Sequence, residues 1–327
     1  MTPYILVLMA LLWSHPILGW APQMDFFSQE RLIVSNKPES ITYPGQVFDW
    51  QMSVPLVRLF YHHRGLAKAP LEIQLWAINR DQETATMSYI QSKAGPSLDY
   101  VFTGHLALSQ FFGQLNQAPQ MVTIPGKHKV QLLAHPLKYK QSSSGIIQLK
   151  LSQQENIRLV MVVANDEYPQ IIPLLDQSIH PEPFEAYFFR HAKQQIVKQF
   201  SVGTQDDKIR VGGPPYIKDM QYQKPLKGNY GLLYDIQVEL SNPLPQPADV
   251  QILVAPHQQN SIDRGVFLLD GKLKELGIIT YKDQTMIIKE LASYSLPPFE
   301  SRRISLKTMP QAGSFYPIDL IFKYELN

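Results

Sequence analysis

The chain has 327 residues, 44% hydrophobic and 18% charged, with a net charge of +2. That is enough chain for two ordinary domains with real cores, and without a run of Lys or Arg to follow phosphates it argues against a nucleic-acid partner. There is no cysteine, which excludes disulfides, Cys-ligated zinc, thiol catalysis and a lipidated cysteine.

Residues 5–13 form an apolar run far shorter than the roughly 20 residues a bilayer span requires. Ser14, His15 and Pro16 break it, and the pattern predicts a signal peptide over 1–21. No Lys or Arg precedes the run, and Pro22 follows the small-residue site Gly19-Trp20-Ala21. A retained N-terminal anchor and a buried N-terminal strand therefore stay open. An exported chain without cysteine fits a bacterial periplasm, cell surface or extracellular space.

The first strongly periodic segment is Leu71–Asn79, where apolar residues alternate with polar ones, the period of a half-buried strand. Residues 86–90, 121–124, 130–133 and Ile157–Ala164 read as further strands. Leu108, Phe111, Phe112 and Leu115 repeat at three and four, which predicts a short helix over 106–115 packed on a sheet edge. Ser142, Ser143 and Ser144 read as a flexible loop before a strand at Ile146. The expected first sandwich domain spans 22–165 with an N-terminal extension.

Residues 166–227 read as a linker. Phe184, Phe188, Ala192, Ile196 and Phe200 recur at intervals of four after Pro183, predicting a helix over 184–200. Its end, 196–202, reads equally well as a strand. Gly212-Gly213-Pro214-Pro215 reads as a hinge.

From 228 to 327 the strand pattern returns. Gly228 and Gly231 precede a strand over 232–240 and not a helix, so they do not form a phosphate cradle. Without a gap, Leu71–Asn79 aligns with residues 234–242: both alternate, share a glutamine at one position and end in asparagine. Similar features follow each in the same order. They are a second strand (86–90, 250–254), Asp99 or Asp263 in a turn before Val-Phe, a Met-led strand at Met121 or Met286, and a proline turn. An alternating strand and a long final strand (Ile157–Ala164, Ile318–Leu326) complete each series. The shared order predicts a mainly β protein of two duplicated antiparallel β-sandwich domains.

The residues 60–63, Leu71–Asn79, Ala94-Gly95-Pro96 with Asp99, Gly104-His105, 228–242, 264–267 and 313–317 together resemble exported bacterial proteins with two tandem immunoglobulin-like β-sandwich modules. The resemblance covers most of the chain after residue 50. It implies an architecture and no activity, catalytic residue or cofactor.

Candidate chemistry is sparse. His62, Asp99 and His105 supply donor types suited to zinc with an open fourth position, although His62 and His63 point to opposite faces of one strand. No Gly-x-Ser-x-Gly elbow is present, and Gly313-Ser314 precedes a strand. Glu182, Glu185, Asp206 and Asp207 crowd the linker without a spacing that sets a glycosidase pair. Tyr216, Tyr222, Tyr230 and Tyr234 cluster where the linker meets the second domain, near Phe184, Tyr187, Phe188 and Phe189. Such rings either stack on a sugar or peptide in an interdomain cleft or form the interdomain core. Asn79 and Asn242 are expected to close turns in a left-handed conformation, and Arg264 to anchor a loop between sheets.

The expected function is a non-enzymatic, exported, envelope-associated binding or scaffold protein whose partner is an envelope protein or a glycan. The alternative is a carbohydrate-binding or carbohydrate-active protein using the aromatic region. A metal-dependent hydrolase is the remote third reading.

Overall fold

The computed structural model describes residues 30–37, 39–152, 156–166 and 184–327; the signal-like segment 1–21, Glu182 and the start of the expected linker lie outside them. Alternating apolar positions build a mainly β structure with one helix among these residues, Tyr100–Gln114. None of its helices is long and apolar enough to cross a membrane.

The strands form four sheets. Sheet I runs Glu185–Phe189, Glu30–Lys37, Leu56–Gly65, Ser142–Leu151, Ala85–Ser97 and Gln120–Ile124, with Ser40–Ile41 beside Leu56–Gly65. Sheet II runs Gly45–Gln51, Ile157–Ala164, Leu71–Asn79 and Lys129–Leu137. Sheet III runs Lys193–Ser201, Leu233–Ser241, Ser301–Thr308, Ser261–Leu269, Lys272–Lys282 and Thr285–Ile287. Sheet IV runs Asp207–Val211, Ile318–Leu326, Ala248–Pro256 and Lys289–Leu296. Pairing is antiparallel except where Glu30–Lys37 and Ser40–Ile41 meet Leu56–Gly65, and where Lys193–Ser201 meets Leu233–Ser241.

Sheets I and II share a core in which Leu59, Tyr61 and Leu149 face Ile73, Leu75 and Met161. Sheets III and IV share a second, where Ile236, Phe267 and Leu306 meet Val250, Leu320 and Phe322. A third cluster joins them. The outer face of sheet I (Leu32, Val34, Phe60, Ile146) and the helix (Leu108, Phe111, Phe112) pack against Leu233, Val266, Leu268, Met309 and Ala312. Burial of each large helix side chain there contributes about 2–3 kcal/mol.

The helix starts at Asp99, whose carboxylate accepts the Phe102 N–H at 2.8 Å. The sequence predicts packing on a sheet edge; the helix also covers the outer face of sheet I. It also seals the edge of Ala85–Ser97 beyond the end of its Gln120–Ile124 partner. Gln114 Oε1 accepts the Gln91 N–H at 3.3 Å and Gln110 Oε1 the Lys93 N–H at 3.2 Å, consuming donors that an open edge would expose.

Two glycines let the halves meet. A Cβ on Gly104 would collide with the Ala312 carbonyl, and one on Gly231 would stand 2.9 Å from the Phe60 Cβ. Gly231 also has φ of +79°, which disfavours other residues.

The linker expectation requires correction. Glu185–Phe189 is the edge strand of sheet I and Lys193–Ser201 the edge of sheet III; there is no helix over 184–200. An interval of four residues satisfies a two-residue period as well as a helical one, and open strand edges on both sides decided the outcome. Gly212-Gly213 is no hinge. The Gly212 N–H donates to the Tyr234 hydroxyl and the Gly213 carbonyl accepts Asn229 Nδ2. The three serines 142–144 are buried in a strand and form no loop.

Leu71–Asn79 and Leu233–Ser241 do correspond. Each pairs with a later strand, Lys129–Leu137 or Ser301–Thr308. Neither Asn79 nor Asn242 is left-handed. Instead each buried side chain ties three carbonyls. Asn79 Nδ2 donates to Glu83, Ile124 and Pro125 at 2.8, 3.0 and 3.3 Å, and its Oδ1 accepts the Asp81 N–H at 2.9 Å. Asn242 repeats this with Gln246, Leu296 and Pro297 at 2.8, 3.1 and 3.2 Å and the Leu244 N–H at 3.1 Å.

Other expected matches fail. Asp99 caps a helix whereas Asp263 lies within Ser261–Leu269. Thr285–Ile287, the Met286 strand, pairs only within a hairpin; Lys289–Leu296 is the counterpart of Gln120–Ile124 by pairing. Likewise Ile318–Leu326 matches Ser142–Leu151 and not Ile157–Ala164.

Replacing either asparagine by alanine leaves buried carbonyls without donors. Asn79→Ala and Asn242→Ala should each lower stability by about 3 kcal/mol in urea unfolding; a loss below about 1 kcal/mol in both would show that the turns close without them.

Candidate functional site

Strand Leu56–Gly65 is largely buried on both faces, and on the face toward the seam it carries Arg58. Arg58 is fully buried. Its Nη1 donates to the Ala192 carbonyl at 2.5 Å and Nη2 to Gln148 Oε1 at 2.9 Å, with Glu30 Oε1 2.5 Å from Nη2. Its guanidinium stands 5.9 Å from the centre of the Phe111 ring. Burial lowers the Arg58 pKa while Glu30 opposes the shift. Ala192 lies where the chain passes from sheet I to sheet III, and its carbonyl also accepts the Leu233 N–H.

The expected metal ligands are held apart by different partners. His62 Nδ1 lies 2.6 Å from Ser144 Oγ, Asp99 caps the helix, and His105 Nδ1 is 3.5 Å from the Arg264 carbonyl with Nε2 3.7 Å from Glu275. His63 faces Ser35 Oγ at 2.8 Å. Among the described residues no three His, Cys, Asp or Glu side chains group to hold a metal ion. His62 is engaged through Nδ1 by a serine of the neighbouring strand, and His105 is turned from the helix toward Arg264 and Glu275, so the two imidazoles do not converge.

The tyrosines do not form one platform either. Tyr234 lies in the second core, its hydroxyl accepting from the Gly212 N–H and Asn229 Nδ2 at 3.0 Å each. Tyr230 packs edge-on to Tyr316 and donates to the Ser314 carbonyl at 2.8 Å; burial pushes its pKa up to about 12. Tyr222 is exposed, with Lys224 Nζ 4.9 Å from its ring centre, and Tyr216 is half-buried. Phe184 and Phe188 pack on the first core, and Phe189 lies in the seam. Of the expected interdomain core, Phe189 is a member and Tyr187 and Tyr230 pack against it; Tyr234, Phe184 and Phe188 belong to the cores of the separate sheet pairs.

Three of the acidic residues singled out in the expected linker are paired with lysines: Glu185 with Lys37 at 2.7 Å, Asp206 with Lys323 at 3.3 Å and Asp207 with Lys198 at 2.7 Å. Asp206, Asp207 and Glu239 line an open polar cavity of about 850 Å³ beside Lys193–Ser201.

What the sequence reading missed lies at one end of the seam. Leu98, Tyr100, Phe102 and Phe315 are 74%, 46%, 41% and 47% exposed. They sit on two segments that touch where Gly313 abuts Tyr100. The Arg264 guanidinium lies 5.5 Å from the Phe102 ring centre, and His105 stacks on the same ring at 6.1 Å. Reading Asp99 as a helix cap and not a turn would have marked Tyr100 and Phe102 as first-turn residues.

No protein-family description and no curated protein matches the chain. Among solved structures, it is similar to Lac15 from a marine microbial metagenome, at 10% identity over 91% of this chain and 61% of that one, TM-score 0.15. It is also similar to the ANX2 ectodomain from Arabidopsis thaliana (10% identity, 91% and 97% covered, TM-score 0.19). The tandem CBM22-1-CBM22-2 domains of Paenibacillus barcinonensis Xyn10C match at 9% identity over 88% and 86%, TM-score 0.15. The chain spans less than two thirds of Lac15, and likenesses this remote carry no inference about function.

Two buried histidines set an acid limit. His135 bridges sheets II and I: Nε2 donates to the Gly95 carbonyl at 3.3 Å, leaving Nδ1 to accept the Tyr61 hydroxyl at 2.7 Å. Burial pushes His135 and His62 down to about 4; Glu39, 3.8 Å from His62 Nε2, is exposed and does not offset it. Between pH 6.5 and 4 the unfolded chain takes up these protons and the folded chain does not, so stability falls as pH falls through that window. His62→Gln should remove one ring's share, up to about 3 kcal/mol at pH 4 relative to pH 7. Urea unfolding at pH 7, 5.5 and 4 measures it, and an unchanged acid slope would refute the assignment.

Proposed function

We propose that this is a non-enzymatic, exported binding or scaffold protein of the bacterial envelope, built from two tandem immunoglobulin-like sandwich domains that divide at residues 190–192. The observation that carries the binding reading is the exposure of Leu98, Tyr100, Phe102 and Phe315 on two segments locked to a rigid body. Large apolar side chains held out to water on a fixed support are the usual material of contact surfaces. Arg264 beside them makes no ion pair among the described residues and is free to meet an anionic group. The repeated asparagine clasp supports the duplicated-domain reading, and export rests on the apolar run at 5–13.

A carbohydrate-binding role is the second reading, favoured by one observation: three of the exposed side chains are aromatic rings, which stack on sugar faces. The site is then the seam-end patch and not the tyrosines 216–234.

The test is the triple variant Tyr100→Ser, Phe102→Ser, Phe315→Ser. Cross-linking in an envelope fraction should yield a specific partner with the wild type and lose it with the variant, at unchanged melting temperature. Retardation by an envelope polysaccharide, lost in the variant, would select the sugar reading. If the variant binds protein and glycan as the wild type does, the patch is not the contact surface.

A further inference from the structure

Segment 309–316 meets the start of the helix through Ala312 on Gly104 and Gly313 on Tyr100, beside Arg264 on Phe102. It is pinned from below by one carboxylate. Asp263 Oδ1 accepts the Arg264 N–H at 2.6 Å and Gln311 Nε2 at 3.3 Å; Gln311 Nε2 also donates to Ser314 Oγ at 2.9 Å. Tyr230 secures the Ser314 carbonyl from the other side.

Asp263 is fully buried, and besides the Arg264 N–H its carboxyl has the Ser314 and Tyr316 side chains as neutral hydrogen-bonding neighbours. The groups around it offer no compensating cation. On its own strand, Arg264 turns its guanidinium to the Phe102 ring. From the loop come Gln311, Ser314 and Tyr316, and from the turn before Leu233–Ser241 comes Tyr230. Across the seam stand Glu39, which adds negative charge near Tyr230, and His62, which burial keeps neutral. The helix offers His105, held toward the Arg264 carbonyl and Glu275 of Lys272–Lys282. An ionised carboxylate in this setting is costly, whereas a protonated one gains an O–H donor.

We propose that Asp263 is a protonation-dependent latch: while its carboxyl holds a proton, segment 309–316 stays docked on the helix start, and loss of the proton loosens that end of the seam. Burial supports this by pushing the Asp263 pKa up to about 7, against weaker opposition from Ser314, the Arg264 N–H and Tyr316. An opened, hydrated Asp263 returns toward about 3.9. Between these values the closed seam binds more protons than the open one, so closure weakens as pH rises from about 4 to about 7 and stays weak above. The latch needs no bound partner and stands or falls apart from the binding patch.

Backbone hydrogen exchange of the full chain at pH 5.5 and 8.5, corrected for intrinsic rates, tests it. The reporters are the Gly231 N–H, donated to the Pro310 carbonyl, and the Phe315 N–H, donated to the Ile262 carbonyl. Their protection should drop roughly 30-fold at pH 8.5 while that of Leu71–Asn79 holds, and Asp263→Asn should abolish the drop. Equal wild-type protection at both pH values overturns the latch without any variant. So does an equal drop in Leu71–Asn79, or a drop that survives in Asp263→Asn, or in Asp263→Ser if the first variant does not fold.

Discussion

Everything in this molecule hangs on how a chain with two sheet pairs gets from one to the other in three residues. Arg190, His191 and Ala192 lie between the last strand of sheet I and the first of sheet III. The buried Arg58 grips the Ala192 carbonyl through Nη1, with Gln148 and Glu30 meeting its Nη2. A charge so enclosed tolerates no loosening, because any shift leaves it unpaired in an apolar seam. The helix then completes the joint with Leu108, Phe111 and Phe112.

That joint grades from one end to the other. Arg58 and Glu30 occupy one end of the outer face of sheet I, Phe60 and Ile146 the middle, and His62 with Ser144 the far end, where Tyr230, Asp263 and Ser314 stand opposite. Apolar packing in the middle supplies adhesion, while the far end carries the buried polar groups and the exposed rings. The exposed rings and the buried carboxylate are thus neighbours for one reason: the helix start and segment 309–316 meet there.

Much of the architecture was legible in the chain. Alternation marked Leu71–Asn79 and Leu233–Ser241, and the aligned Asn79 and Asn242 pointed to matching clasps, although by side-chain bonding and not by a left-handed turn. The linker misled because Phe184, Phe188, Ile196 and Phe200 fit both periods, and only an open sheet edge selects between them. His62 and His105 looked available for metal because a sequence does not display the serine or carbonyl that a neighbouring strand brings alongside. Asp263 looked like a turn residue for the same reason.

By itself, the sequence determined what local chemistry determines: strand periodicity, the helix around Leu108–Phe112, the absence of thiol chemistry, and the repeated strand ending in asparagine. Tertiary structure alone decided which faces meet. Burial, partner and protonation of Arg58, His62 and Asp263 depend on atoms brought from distant strands, and the desolvation that makes them matter exists only after the sheets have closed.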